Sequence, residues 1–320
     1  MQQTAAADEA PFFADVADAP SGGVVRWLTA ADGVRLRVGH WLPERAGGAK
    51  GTVILLPGRT EYIEKYGRAA ADLGQRGFSC VVIDFRGQGL ADRPLADRMT
   101  GHVGSFAEYQ ADLDAVMAYV EQAGLPRPLY MLAHSMGGSI GLRALMRGLP
   151  FSAAAFTGPM WGVSIAAWLR PLAQVISGLS GIVGMAHHYA PGQGPKTYVA
   201  EAAFAGNTLT TDREMWDYMR RQAQAHPELT LGGPSLGWLH AALADTAALS
   251  AMPSPRVPVI CALGTAEKVV DTAPIHLRMA GWGTGQLDLY PGAEHEVLME
   301  RAATRKRAFD RAASLFEAHR

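Results

Sequence analysis

The sequence predicts an α/β fold: a mostly parallel sheet with helices on both faces, broken once by a helical insertion. Three observations carry that expectation. Short runs that are apolar at every residue alternate with stretches of helical periodicity. Strands buried on both faces must be apolar in this way. The alternation then stops for one long segment and resumes after it. Strand–helix–strand order of this kind sets the strands parallel and the helices over the two faces.

The first 22 residues carry acids and prolines, with no basic region followed by an apolar stretch. They read as a flexible tail and not as a signal peptide, which favours a cytoplasmic location. Residues 24–43 read as two strands joined by a turn at Ala31-Asp32-Gly33. TVILLPG at 52–58 is the first doubly buried strand, followed by a helix over 62–75 and the strand FSCVVIDF at 78–85. A helix over 106–123 sets Phe106, Leu113, Met117 and Val120 at helical spacing, and LYMLAH at 129–134 leads into a helix from Met136. Residues 148–169 contain no charge, enough to resemble a membrane span. Pro150, Gly158, Pro159 and Gly162 interrupt that stretch, and its first half reads better as a buried strand ending in a turn. Two apolar strands, VPVICALG and QLDLYPG, follow the pause, and a helix rich in Arg and Ala closes the chain. The expected organisation is a tail over 1–22, a sheet domain over 23–159 and 253–320, and a helical cap over 160–252.

Among the 320 residues 48% are hydrophobic, which supports a substantial core and argues against disorder. A net charge of -1 gives no electrostatic reason to expect nucleic acid or an acidic membrane as partner. Cys80 and Cys261 sit inside apolar runs and read as small buried hydrophobes.

The segment Leu129-Tyr-Met-Leu-Ala-His-Ser-Met-Gly-Gly138 is the most informative. A strand ends in a sharp turn at Ser135 and a helix starts directly after it. Such a turn lifts the hydroxyl above the sheet edge and sets it near a helix N-terminus, where developing negative charge is favoured. The residues two before and two after must be small. They are Ala133 and Gly137, the first a departure from the G-x-S-x-G pattern. A serine that merely caps a helix is the plainer reading of this segment.

A serine nucleophile needs a base, and the base needs an acid, in the chain order Ser, Asp or Glu, His. His295 lies in a loop directly after a late strand and is the candidate base. Glu267, three residues beyond the glycine ending the preceding strand, is the candidate acid. Asp271 remains the alternative, with a helix N-cap as its plainer role. Glu294 and Glu296 read as solvent-facing or loop-supporting. Backbone N–H groups of Met136 and Arg59 are the expected oxyanion donors, with Gly58 letting the backbone come close and itself an expected substrate contact. The Arg59 side chain reads equally as a surface salt bridge or a contact to an anionic head group. The FRGQG loop after Asp84 reads as shaping the site. His134 is expected to pack beneath the turn, and His226 and His240 to line the pocket or do nothing. His187 and His188, with no nearby Cys or acid, give no metal site.

LLPGRTEYIEKYG, DFRGQG, AHSMGG, GTAEKVVD and PGAEHEVLME together resemble the lysophospholipase and monoacylglycerol lipase branch of the α/β-hydrolases. HPELTLGGPSLGWL in the insertion resembles the bacterial lysophospholipase L2 type. The resemblance runs from about Val24 to the C-terminus. It implies an α/β-hydrolase fold with an eight-stranded sheet and helical cap, no cofactor, and the triad Ser135, Glu267, His295. Glu stands where many relatives hold Asp.

The expected reaction is ester hydrolysis of a lysophospholipid or monoacylglycerol through an acyl-enzyme on Ser135. The cap segment 161–186 has Trp161, Ile165, Trp168, Leu169, Leu172 and Ile176 at helical intervals. One reading packs these helices on the sheet domain. The other makes a lid, with Trp161 and Trp168 meeting substrate and the apolar face touching a membrane surface transiently. A short-chain esterase or peptidase/amidase on the same triad stays open as the alternative; a non-catalytic binder fits an intact, ordered Ser, acid and His poorly.

Overall fold

The computed structural model describes residues 8–44, 48–165 and 170–320. In chain order the elements are α1 (Ala14–Ala17), β1 (Val24–Thr29), β2 (Arg35–Trp41), β3 (Thr52–Leu56), α2 (Gly67–Gln75), β4 (Ser79–Asp84), α3 (Phe106–Gln122), β5 (Leu129–His134), α4 (Met136–Met146) and β6 (Phe151–Thr157). They continue with α5 (Arg170–Ile182), α6 (Tyr198–Glu201), α7 (Arg213–Ala225), α8 (Leu236–Ser250), β7 (Val259–Gly264), α9 (Thr272–Ala280), β8 (Gly285–Tyr290) and α10 (Ala302–Ala318).

The strands form one sheet in the order β1-β2-β4-β3-β5-β6-β7-β8. β1 and β2 pair antiparallel, β2 pairs antiparallel with β4, and every later pair is parallel. The eight-stranded α/β expectation holds, and period-two burial explains why the central runs read as wholly apolar. On β3, Ile54 and Leu56 enter one core layer while Val53 and Leu55 enter the other. Val81 and Ile83 of β4 likewise oppose Cys80 and Val82. Helices α3, α4, α8 and α9 cover the first layer, and α2, α7 and α10 cover the second.

Two boundaries differ from the sequence reading. The described part of the expected tail is packed: Ala10, Val16 and Ala17 are buried, and Trp27 N–H donates to Asp8 O at 2.8 Å. Tyr218 OH on α7 donates to Ala17 O at 2.7 Å, and the Phe13 ring stacks on His226 at 3.8 Å. Its apolar residues, scattered among acids, form no run long enough to announce an element. At the other boundary, α8 falls inside the expected cap, yet Trp238, Ala241, Ala242 and Leu249 sit in the core layer with α3 and α4. The layer needs a helix beside α4, and α8 supplies it.

Candidate active site

β5 delivers Ser135 to the edge of the sheet, where its backbone turns with φ 50 and ψ -117 before α4 begins. A non-glycine residue in that region is strained, and strain of this kind persists only where surrounding bonds enforce it. Here Ser135 N–H donates to Thr157 O at 3.1 Å, and Gly138 N–H and Met160 N–H both donate to Ser135 O at 2.8 Å. A Cβ at Gly137 would collide with the carbonyl oxygens of Leu56 and Pro57. Ala133 is accommodated because Gly141 faces it: a Cβ built there would lie 3.2 Å from the Ala133 methyl. The departure from G-x-S-x-G is therefore compensated one turn into α4.

Ser135 Oγ lies 2.9 Å from His295 Nε2, and His295 Nδ1 lies 2.6 Å from Glu267 Oε2. Glu267 Oε1 accepts from Val269 N–H at 2.6 Å and Val270 N–H at 3.1 Å. Burial pushes the Glu267 carboxyl up, but the hydrogen bond and charge of His295 and those two amides outweigh it and hold it below its ordinary value. An ionised Glu267 fixes the proton on Nδ1, which leaves Nε2 to accept from the serine hydroxyl. Gly158, at φ 46, is required beside this pair, since a Cβ there would lie 3.1 Å from both Glu267 Oε2 and His295 Nδ1. Asp271 instead caps α9, accepting from Ala273 N–H at 3.1 Å.

The loop after β3 faces Ser135 and is held from three sides. Gly58 N–H and Tyr66 OH donate to the Glu61 carboxylate. Gln88, in the FRGQG loop, donates to Gly58 O at 3.0 Å and accepts from Thr60 N–H at 2.9 Å. Asp84 accepts from Ile63 N–H at 2.8 Å and Leu90 N–H at 2.9 Å while pairing with Arg37 at 2.7 Å. Among the described residues, the amide N–H groups of Met136 and Arg59 make no protein hydrogen bond. Two such donors, on residues that line the same cavity as the strained serine, suit an oxygen that gains negative charge.

Beneath the site lies a charged network that the sequence does not announce. Lys65 Nζ is 2.6 Å from Glu61 and 2.6 Å from Glu296, all three side chains being buried. His134 packs under the turn as expected, its Nδ1 bonded to Thr157 Oγ1 at 2.9 Å and its ring 4.8 Å from that of His295. Burial holds His134 below the ordinary imidazole value, though Glu61 opposes that shift. Burial pushes the Glu61 carboxyl up as well, but Lys65 and His134 more than offset it and bring it down to about 2. Glu61, His134 and Glu296 have atoms within 4.8 Å of one another, a spacing that suits a metal. The Lys65 ammonium already serves as the cation of that group. Glu296 thus supports the loop from inside, while Glu294 lies 3.6 Å from Lys268.

Ser135, Met136 and His295 open into a cavity of about 800 Å³. Its wall is mainly apolar, with Tyr62, Met160, Val163, Ile165, Ile176, Leu209, Met219, Leu236 and Trp238. Two expected substrate contacts are corrected. Trp161 is a core residue outside that lining; it stacks on Trp282 at 6.1 Å and its Nε1 donates to Gly138 O at 3.1 Å. Gly58 is also outside the lining, buried by the bonds that hold its loop. Trp168 lies outside the described residues. Trp238 takes the aromatic position on the wall; no pattern in the sequence separates its face from that of Trp161. His226 pairs with Asp15 at 3.0 Å on the surface, away from the cavity lining.

Sheet order, strained turn and cavity define an α/β-hydrolase. The family described as "Serine aminopeptidase, S33" matches residues 47–302. Lysophospholipase L2 of Escherichia coli K12 is 33% identical over 277 residues, covering 83% of this chain and 80% of that protein. A probable lysophospholipase L2 of Haemophilus influenzae is 26% identical over 309 residues, covering 96% and 94%. A soluble variant of the Saccharomyces cerevisiae monoglyceride lipase superposes with a TM-score of 0.72 at 19% identity, covering 97% of this chain and 99% of that one. The chain belongs to this family of α/β-hydrolases, with lysophospholipase L2 among its relatives, and it is a carboxylic ester hydrolase.

Proposed function

We propose that the chain hydrolyses the acyl ester of lysophospholipids or monoacylglycerols through an acyl-enzyme on Ser135. The observation that carries this is the continuous pair of contacts, 2.9 Å and 2.6 Å, from Ser135 through His295 to Glu267 at the mouth of an apolar cavity. His295 takes the hydroxyl proton as Ser135 attacks the ester carbon, and Glu267 stabilises the imidazolium. The amides of Met136 and Arg59 receive the oxyanion. His295 then returns the proton to the leaving glycerol oxygen, and the same groups activate water to release the fatty acid. A long acyl chain suits the lining better than an acetyl group, since most of the wall is hydrocarbon. No helix among the described residues is long and apolar enough to cross a membrane. Contact with a lipid surface is assigned to α5, whose Val175, Leu179 and Ile182 are exposed.

A fluorophosphonate probe tests the nucleophile. Wild type is expected to label and Ser135→Ala to lose both labelling and turnover, by roughly 10⁴-fold or more. Labelling that persists in Ser135→Ala overturns the assignment. Acyl-chain profiling on glycerol esters tests the substrate class. An optimum at acetate with no long-chain turnover would favour a short-chain esterase, and turnover confined to amides would favour a peptidase.

A further inference from the structure

The cavity contains a cation that no carboxylate among the described residues neutralises. Arg59 lines the wall together with Ser135 and Met136. Its Nη1 donates to the Gly232 carbonyl oxygen at 2.8 Å, and its guanidinium carbon lies 5.7 Å from the centre of the Trp238 ring. Among the described residues its Nε and Nη2 have no protein hydrogen-bond partner. Those two N–H groups share one edge of the guanidinium, the edge that meets a phosphate or carboxylate in a bidentate pair. Burial pulls Arg59 down to about 10, with only the Tyr109 hydroxyl opposing, so it stays cationic at neutral pH. Lys65, the other lysine or arginine among the described residues of the lining, is already outnumbered by Glu61 and Glu296. The cavity is therefore polarised, with its unanswered positive charge at Arg59.

We propose that Arg59 is the phosphate subsite of this cavity, its guanidinium binding the phosphodiester oxygens of a glycerophospholipid whose acyl carbonyl lies at Ser135. The inference rests on the ester-hydrolase reading above and chooses between its two head groups in favour of the lysophospholipid. The covalent span agrees with it. The bonds from the Arg59 amide nitrogen, where the oxyanion would be held, to its guanidinium carbon equal in number those from a lysophospholipid's ester carbon to its phosphorus. One residue can thus bind both the reacting oxygen, through its backbone, and the head group, through its side chain. A phosphate at the Lys65 end would instead face two carboxylates.

The test compares octanoyl lysophosphatidylcholine with monooctanoylglycerol, both below the concentration at which they form micelles, on wild type, Arg59→Met and Arg59→Lys. The kcat/KM ratio of phosphodiester to neutral ester is expected to fall roughly 10- to 100-fold in Arg59→Met, through KM. Arg59→Lys should recover part of that ratio, because the charge returns without the bidentate edge. Equal slowing of both esters, leaving the ratio unchanged, overturns the inference and makes Arg59 a support for its loop. A second arm needs no turnover: Ser135→Ala protein is titrated with the octyl ether analogue of the lysophospholipid and, separately, with inorganic phosphate. Binding of the ether that disappears in Ser135→Ala/Arg59→Met supports the subsite; inorganic phosphate binding as tightly as the ether overturns its lipid form. Wild type that cleaves no ester refutes the ester-hydrolase reading, while the ether titration still judges Arg59.

Discussion

At the scale of single residues the acid of the site is the sharpest question, because Glu267 and Asp271 are four positions apart and both were open from the sequence. In the structure Glu267 is 2.6 Å from the His295 ring and Asp271 caps α9. Glu267→Gln is therefore expected to lower kcat by roughly 10⁴-fold, since an amide no longer holds the imidazole in the required tautomer. Asp271→Ala should instead cost about 0.5–2 kcal/mol of stability with kcat little changed. Steady-state kinetics beside thermal denaturation separates the two, and a collapse of kcat in Asp271→Ala alone reverses the assignment. Glu61 makes a different prediction. Its folded carboxyl is lowered from 4.5 to about 2, so its stabilisation is complete above pH 4.5 and is lost as pH falls toward 2. Urea unfolding across that window should show a shallower pH dependence in Glu61→Gln than in wild type; an unchanged slope would mean that Lys65 does not depend on Glu61. Ser135 and His295 are legible as candidates because one directly follows β5 and the other lies in the loop after β8, where a local pattern marks the position. The Glu61–Lys65–Glu296 group was not legible. Lys65 and Glu296 are 231 positions apart, and only the folded sheet brings them to 2.6 Å.

At the scale of elements, strands are more legible in the sequence than helices for a physical reason. Burial on both faces confines the strongly polar residues of β3, β4 and β5 to their ends, at Thr52, Ser79, Asp84 and His134, and leaves unbroken apolar runs between them. A helix with one apolar stripe can turn it toward the sheet, a cavity or solvent, and sequence periodicity does not say which. The stripe of α8 enters the core, whereas α5 leaves Val175, Leu179 and Ile182 exposed, the last at 81%, with Val183 just beyond the helix at 63%. These residues recur at helical spacing on one side, and Ile176 beside them lines the cavity. A surface that joins exposed hydrocarbon to an apolar cavity suits transfer of a lipid from an interface. Leu179→Ser/Ile182→Ser is expected to lower partitioning onto phospholipid vesicles by roughly 10-fold or more. Hydrolysis of a monomeric p-nitrophenyl ester should be far less affected. Equal loss on both substrates would mean that α5 shapes the cavity rather than docking.

At the scale of the whole molecule, the segment 8–22, which the sequence presents as a tail, links separate parts of the fold. It pairs with β1 through Ala10 N–H to Val25 O at 3.1 Å, and it meets α7 through Tyr218 and Gln222, the latter donating to Val16 O at 3.0 Å. Pro11 O accepts from Arg37 at 2.9 Å, and Arg37 in turn pairs with Glu64 and Asp84 inside the protein. Asp84 holds the amides of Ile63 and Leu90, on either side of the loops that carry Arg59 and Gln88. Polar bonds of this length, closed away from water, lose most of their value once solvent reaches them. Deleting residues 1–19 should thus do more than remove the buried side chains of Ala10, Val16 and Ala17. The melting temperature is expected to fall by roughly 5–10 °C. Turnover at a temperature where the variant remains folded should also fall, because the loop bearing the proposed oxyanion donor loses an anchor. Tyr218→Phe supplies the milder control. It leaves the segment in place, removes the hydroxyl that bonds Ala17, Glu64 and Lys65 carbonyls, and should cost about 1–3 kcal/mol. If the deletion lowers the melting temperature no more than Tyr218→Phe does and leaves turnover intact, the segment is a passive cover. If both stability and turnover fall, the active-site loops are tensioned from the opposite edge of the sheet.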